Sequence, residues 1–153
     1  MKMLAFLLLA VTAVPAAAEP QVSLTSHVSV VRIKAGRSGT PVRSLEEPKL
    51  VTPGDRLLFT LDYSNNSGKP ADHFVVSDPV PSGVIFAGEE SKGAEVSVDS
   101  GKSFGPLDTL KVVDADGKRR AARPSDVTHV RWTFARAVAA GERGELRFEA
   151  IVK

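Results

Sequence analysis

Polar and apolar residues alternate with a period of two along most of this chain. In Arg56 to Ser64, Leu57, Phe59, Leu61 and Tyr63 share one phase, while Arg56, Thr60, Asp62 and Ser64 share the other. Val130, Trp132 and Phe134 alternate with His129, Arg131 and Thr133; Leu146, Phe148, Ala150 and Val152 alternate with Glu145, Arg147 and Glu149. Ala94, Val96 and Val98 alternate with Glu95, Ser97 and Asp99. Each run predicts a strand with one buried and one wet face. Further short strands are expected over Phe74 to Ser77, Val84 to Ala87 and Thr109 to Val113. Such half-wet strands belong to antiparallel sheets, because parallel sheets are covered on both faces.

The segment Gln21 to Ile33 also predicts a strand, but its phase drifts. Val22, Leu24, Val28 and Val30 agree with one another, whereas Val31 and Ile33 occupy the other phase. A bulge or a crossing between sheets near Val30 is the expected cause. Turn signals punctuate the chain: Pro53-Gly54, Asn65-Asn66-Ser67-Gly68, Pro81-Ser82-Gly83, Ser100-Gly101, Asp116-Gly117 and Ala140-Gly141. Asp116-Gly117 predicts a tight hairpin following Leu110 to Val113. No stretch of helical length carries an apolar stripe. Many short strands with frequent turns define an all-β sandwich or barrel, and the sandwich is favoured.

The beginning of the chain is different in kind. Met1-Lys2-Met3 supplies a positive charge, Leu4 to Val14 is apolar apart from Thr12, and Ala16-Ala17-Ala18 offers small residues. This is the plan of a secretory signal peptide, with cleavage expected after Ala18. The apolar run falls short of the ~20 residues that span a bilayer, so a retained anchor is the weaker reading. Residues 1–18 are therefore read as a signal peptide and 19–153 as a single β-sandwich domain. The expected location is periplasmic or extracellular.

Composition narrows the chemistry. The chain has 0 cysteines, which removes disulfides, thiolate metal sites, cysteine nucleophiles and a lipid-acceptor cysteine. Small exported domains often rely on disulfides; this one must be held by its core. With 20 basic and 18 acidic residues, nothing global favours nucleic acid or an anionic membrane. Lys118-Arg119-Arg120 with Arg123 is a local basic cluster, read as a solvated loop.

From Thr52 to Phe86 the chain resembles the prokaryotic conserved repeat domain, an immunoglobulin-like domain of unknown function (number eleven type) usually found in surface and secreted proteins. The resemblance is carried by Thr52-Pro53-Gly54-Asp55, Phe59, Asn65, Val75-Val76-Ser77-Asp78, Pro81-Ser82-Gly83, Val84 and Phe86. It continues more weakly through Asp99-Ser100-Gly101-Lys102, Trp132 and Ala140-Gly141-Glu142, so the family-like part is about 53–153. Ser67 stands where the family usually has glycine. The resemblance implies an immunoglobulin-like antiparallel sandwich of about 7–9 strands, a scaffold or surface role, and no catalytic residues. Read on their own, the same residues are structural. Pro53 and Gly54 suit a turn, Asn65 and Asp78 can bond free backbone groups at strand ends, and Gly83 is expected to take a positive φ.

Candidate chemistry is sparse. No serine lies in a Gly-x-Ser-x-Gly elbow, and His27, His73 and His129 are not at metal-ligand spacing. Asp114-Ala115-Asp116-Gly117 is similar to the start of a calcium loop but lacks its other ligands, so a hairpin is the better reading. A weak calcium site of Asp99, Asp114 and Asp116 stays as an alternative. Phe104 is the one candidate for a sugar-stacking platform, read as a loop anchor by preference. The Asn65-Asn66-Ser67 sequon reads as a turn. No cofactor is expected.

The expected function is thus an exported, non-enzymatic interaction or structural module of the bacterial cell envelope. Its partner would be another protein or a second copy, bound at a sheet edge or by end loops, with Gln21 to Ile33 the segment to watch. The alternative is a periplasmic carrier for a glycan, small molecule or metal, using loops 35–48 and 114–124.

Overall fold

The computed structural model describes residues 22–36 and 39–153. The expected signal peptide lies outside the described residues. Ten strands follow in order: β1 (Val22–Ala35), β2 (Pro41–Glu46), β3 (Arg56–Asn65), β4 (Val75–Pro79), β5 (Val84–Glu89), β6 (Ala94–Ser97), β7 (Lys111–Val113), β8 (Arg119–Ala121), β9 (His129–Thr133) and β10 (Arg143–Val152). One sheet has the order β2-β1-β3-β10-β5, a second β4-β9-β6, and β7-β8 is a separate hairpin. Every pairing is antiparallel. The two larger sheets share one core, an arrangement consistent with a β-sandwich. Among the described residues, no helix is long and apolar enough to cross a membrane.

The alternating phases explain that core. Leu57, Phe59 and Leu61 of β3 and Phe148 of β10 meet Val76, Val130 and Trp132 from the smaller sheet. Phe148 is fully buried, stacked on Phe59 at a centroid distance of 4.7 Å and flanked by Phe86 at 6.2 Å and Trp132 at 6.3 Å. Trp132 donates from Nε1 to the Ser91 carbonyl at 3.1 Å, so its one polar atom is satisfied inside the core.

Three expectations change. β2 forms where residues 35–48 were expected to loop. It is an edge strand with nearly every residue exposed, so no apolar phase marks it in the sequence. With β2 and the β7-β8 hairpin, ten strands replace the expected seven to nine. β1 has neither bulge nor sheet crossing: Val22 to Val31 pair with Asn65 to Arg56 without a break in register.

Its apparent drift arises because both faces are covered near Val30. Val30 points to the core, while Val31, at 8% exposure, lies on the outer face with the fully buried Leu58. Arg43 of β2 pairs with Glu149 of β10, which also accepts from Arg56, and Arg43 reaches Glu90. Because β1 and β3 lie between β2 and β10, these long side chains bridge over Val31 and Leu58. Their aliphatic stems shield that apolar row from water.

Replacing Phe148 by alanine removes the ring at the centre of the core and leaves a cavity. The expected cost is about 3–5 kcal/mol, read as a fall in the urea midpoint.

Candidate functional site

The motif residues converge at two ends of β3. At its start, Asp55 donates its N–H to the Thr52 carbonyl (3.0 Å), and Gly54 takes φ +91°, the conformation this turn requires. The Asp55 carboxylate accepts from Arg32 of β1 at 2.5 Å and from the Thr52 N–H at 2.9 Å. The Arg32 guanidinium, helped by Thr52, holds this carboxyl below its ordinary range. Gly54 N–H donates to the Val152 carbonyl (2.9 Å), and Lys153 N–H donates to Gly83 (3.0 Å), so the Pro53 and Pro81 turns meet around the end of β10. Val84 N–H closes the second turn onto Pro81 at 3.1 Å. Gly83 does not adopt a positive φ. Its carbonyl anchors Lys153, and the turn closes without a left-handed residue.

At the far end of β3, Asn65 is completely buried. Its Nδ2 donates to the carbonyls of Lys69 and Val138, both at 2.9 Å, and its Oδ1 accepts from the N–H and Oγ of Ser67 at 3.1 and 2.7 Å. Its backbone pairs with Glu142 and Gly141 at 2.9 and 2.8 Å. One side chain thus organises the 66–70 turn and fixes it to the segment leading into β10. The sequon built on Asn65 is therefore a turn, with both amide protons already committed. Nearby, Glu142 receives a bidentate pair from Arg136 and the Ala139 N–H, which together hold its carboxyl down at about 2.

The three calcium candidates do not assemble. Among the described residues no group of three or more histidine or acidic side chains is placed to hold a metal ion. The Asp99 carboxylate is taken up by its own loop, accepting from Ser97 Oγ (2.7 Å), the N–H groups of Lys102 (3.1 Å) and Ser103 (2.9 Å), and Ser103 Oγ (2.6 Å). These donors, Ser103 foremost, hold it far below the carboxylate range. Asp114 accepts from Asp116 and Lys118 N–H at 3.1 and 2.8 Å, closing the β7-β8 turn, where Gly117 takes φ +78°.

The carrier loops fare differently from their expectation. Of residues 35–48, Ala35 and Pro41–Glu46 are strand, and 114–124 belong mainly to the β7-β8 hairpin. In the latter, Arg120 is bound bidentate by Asp126 at 2.6 and 2.8 Å, which removes one charge from the basic cluster and holds Asp126 at about 2. The Arg131 guanidinium covers the Phe104 ring at 3.9 Å, so that ring is a loop anchor on this face. An apolar cleft between β5 and β6, lined by Phe86, Ala94, Val96 and Leu107, has about 260 Å³, below the range of small-molecule pockets. It draws no residue from either carrier segment, but a wider cleft of about 390 Å³ is lined by Glu46, Glu47 and Lys49 and so takes two residues of 35–48.

The sequence marked Gln21 to Ile33 as the segment to watch for edge binding, and the distinguishing feature of β1 is its edge. β2 pairs with Val30 to Ala35, so among the described strands Val22 to Ser29 have β3 on one side and no neighbour on the other. Leu24 is 45% exposed on this stretch, in the phase of Val22, Val28 and the core. Beyond it, Ile33, Val42, Leu45 and Leu50 are exposed on the arm formed by β1 and β2 and on the segment that follows. On the outer face His27 Nδ1 lies 3.2 Å from Asp62. The sequence signal was present: no proline, glycine, lysine, arginine or acid interrupts Val22 to Val31.

Trp132 lies in the core as its phase predicts. Asp78 shares the inward phase of Val76 on β4. Among the described residues its carboxylate accepts no hydrogen bond, and burial raises its carboxyl pKa against the lowering influence of His129. Compared with known families, curated proteins and solved structures, the chain matches none.

Two outcomes follow. Asn65→Ala orphans buried carbonyls and Ser67 N–H, with an expected loss of about 3 kcal/mol in urea unfolding. For Asp78, a raised folded pKa means that the ionised form lowers stability above the carboxylate range. Asp78→Asn is therefore expected to raise the urea midpoint at pH 7, and the gain should vanish as pH falls through that range. The paired carboxylates Asp55, Asp126 and Glu142 act with the opposite sign. Their stabilisation is present above the unfolded value near 4 and is lost toward pH 2.

Proposed function

We propose that this chain is an exported, non-enzymatic interaction module of the bacterial cell envelope, an immunoglobulin-like domain of the conserved repeat type that takes up a partner strand at an open sheet edge. The observation that carries the reading is the edge of β1, Val22 to Ser29, which is unpaired among the described strands. Such an edge presents free backbone donors and acceptors, and an added strand satisfies them while side-chain phase gives specificity. Export is supported by the Met1 to Ala18 sequence plan, and envelope residence by the resemblance of Thr52 to Phe86. Three of the motif residues have structural work: Asp55, Asn65 and Gly83 each tie turns to strands. That suits a scaffold whose function lies in main-chain pairing.

The test is crosslinking of the exported protein in cells, with adducts mapped by mass spectrometry, for the wild type and for Leu24→Lys. Leu24 is half-exposed, so the lysine leaves the core intact while placing a charge on the edge. Adducts confined to Val22–Ser29 and lost in the variant are expected. Adducts that concentrate on 114–124 and persist in the variant would move the carrier reading ahead.

A further inference from the structure

Every strand edge in the described structure except one carries a device against pairing. β2 begins with Pro41 and bears Arg43; β4 ends in Asp78-Pro79. The β5 ladder is broken by a register shift between Glu149 and Ala150. β6 is closed by reciprocal hydrogen bonds between Val96 and Gly105, at 2.9 and 3.1 Å. β7 and β8 are three-residue strands carrying Lys111, Arg119 and Arg120. Proline, charge, irregularity and short length are the means by which proteins keep edges from associating. The stretch Val22 to Ser29 has none of them. It is straight in register and has no lysine, arginine or acid, and its histidine, His27, faces Asp62.

We infer that a second copy of this chain occupies the edge, its β1 lying antiparallel to the first about a two-fold axis at Thr25. The inference rests on the edge reading above and names its partner. The slot has a defined end, because Glu46 of β2 already lies opposite Val30 and Pro48 follows soon after. About 26 Å of strand remains for the newcomer. A two-fold axis perpendicular to the sheet keeps both cores on the same side, so directly opposed residues must share a phase. One register fits the slot, with Thr25 opposite Thr25, because Ser26 opposite Ser26 would set the partner's Val22 against Val30, where Glu46 already lies. It sets Val22 against Val28 and Leu24 against Ser26. The exposed Leu24 then lies beside the partner's apolar phase and is covered. A slip by one residue would turn one copy's apolar phase to the wet face. The two sheets would become continuous through their β1 strands, with each β2 lying end to end beside the partner's β1.

Because the natural chain has no cysteine, single substitutions report the pairing cleanly. In the mature protein, Thr25→Cys and Ser26→Cys are treated with a short bis-maleimide and compared with Thr133→Cys, an exposed position on the other sheet. Opposed residues in a paired sheet hold their Cβ atoms about 5 Å apart. Thr25→Cys is expected to give covalent dimer about tenfold faster than Thr133→Cys, since pairing holds the thiols at high local concentration. Sedimentation should show a dimer for the wild type and a monomer for Leu24→Lys, with unchanged circular dichroism confirming that the variant folds. A wild type that sediments as a monomer, with both β1 cysteines no faster than the control, overturns the inference. If Leu24→Lys nevertheless abolishes in-cell adducts to a different protein, the edge reading stands and the second copy is excluded. If it abolishes nothing, both fall.

Discussion

A domain with no cysteine must be held by the contact between its sheets, and here that contact centres on Phe148. Its ring stacks on Phe59, touches Phe86 and lies beneath Trp132, so the middle strands of both sheets close on one side chain. The rest is arranged to keep that meeting in register. Asp55 with Arg32, and Asn65 with the Val138 and Lys69 carbonyls, fasten the ends of β3 and so fix which β3 residues face inward. A one-residue slip of this strand would turn Leu57, Phe59 and Leu61 outward together. The turns thus act on the core at a distance, by fixing strand phase.

The outer face of the larger sheet adds a second layer of order. Individually, exposed ion pairs contribute little. Arg43, Arg56, Glu90 and Glu149 matter through their reach: they cross two intervening strands and keep water from Val31 and Leu58. An apparently ordinary charged surface therefore carries a thin apolar layer of its own.

The strands that were legible in the sequence are those with one wet and one dry face, as in β3, β9 and β10. β2 was illegible because an edge exposed on both sides selects no apolar phase, and the Val30-Val31 break was misleading because two dry faces erase the alternation. Gly54 and Gly117 announced their turns, whereas Gly83 takes no positive φ and a Cβ there would meet open space, so its turn does not require glycine. Side-chain chemistry was harder to read. An aspartate that binds its own loop amides and one that ligates calcium are the same letter, and Asp99 proved to be the former. The edge of β1 could be seen as a run without charge or proline. That it was open could not, since this depends on where β2 stops.

The order of strands around β3 has a mechanical consequence. β1 starts beside Asn65, while β10 finishes beside Arg56, at the opposite end of the same central strand. A tension applied between the start of β1 and the end of β10 therefore runs along both ladders, whose hydrogen bonds lie across the line of pull. All of those bonds bear the load at once, as rivets do in a lap joint, and none can be opened before its neighbours. Prising β5 from the far edge would instead break its ladder one bond at a time. The same sheet is thus stiff along its length and weak at one margin.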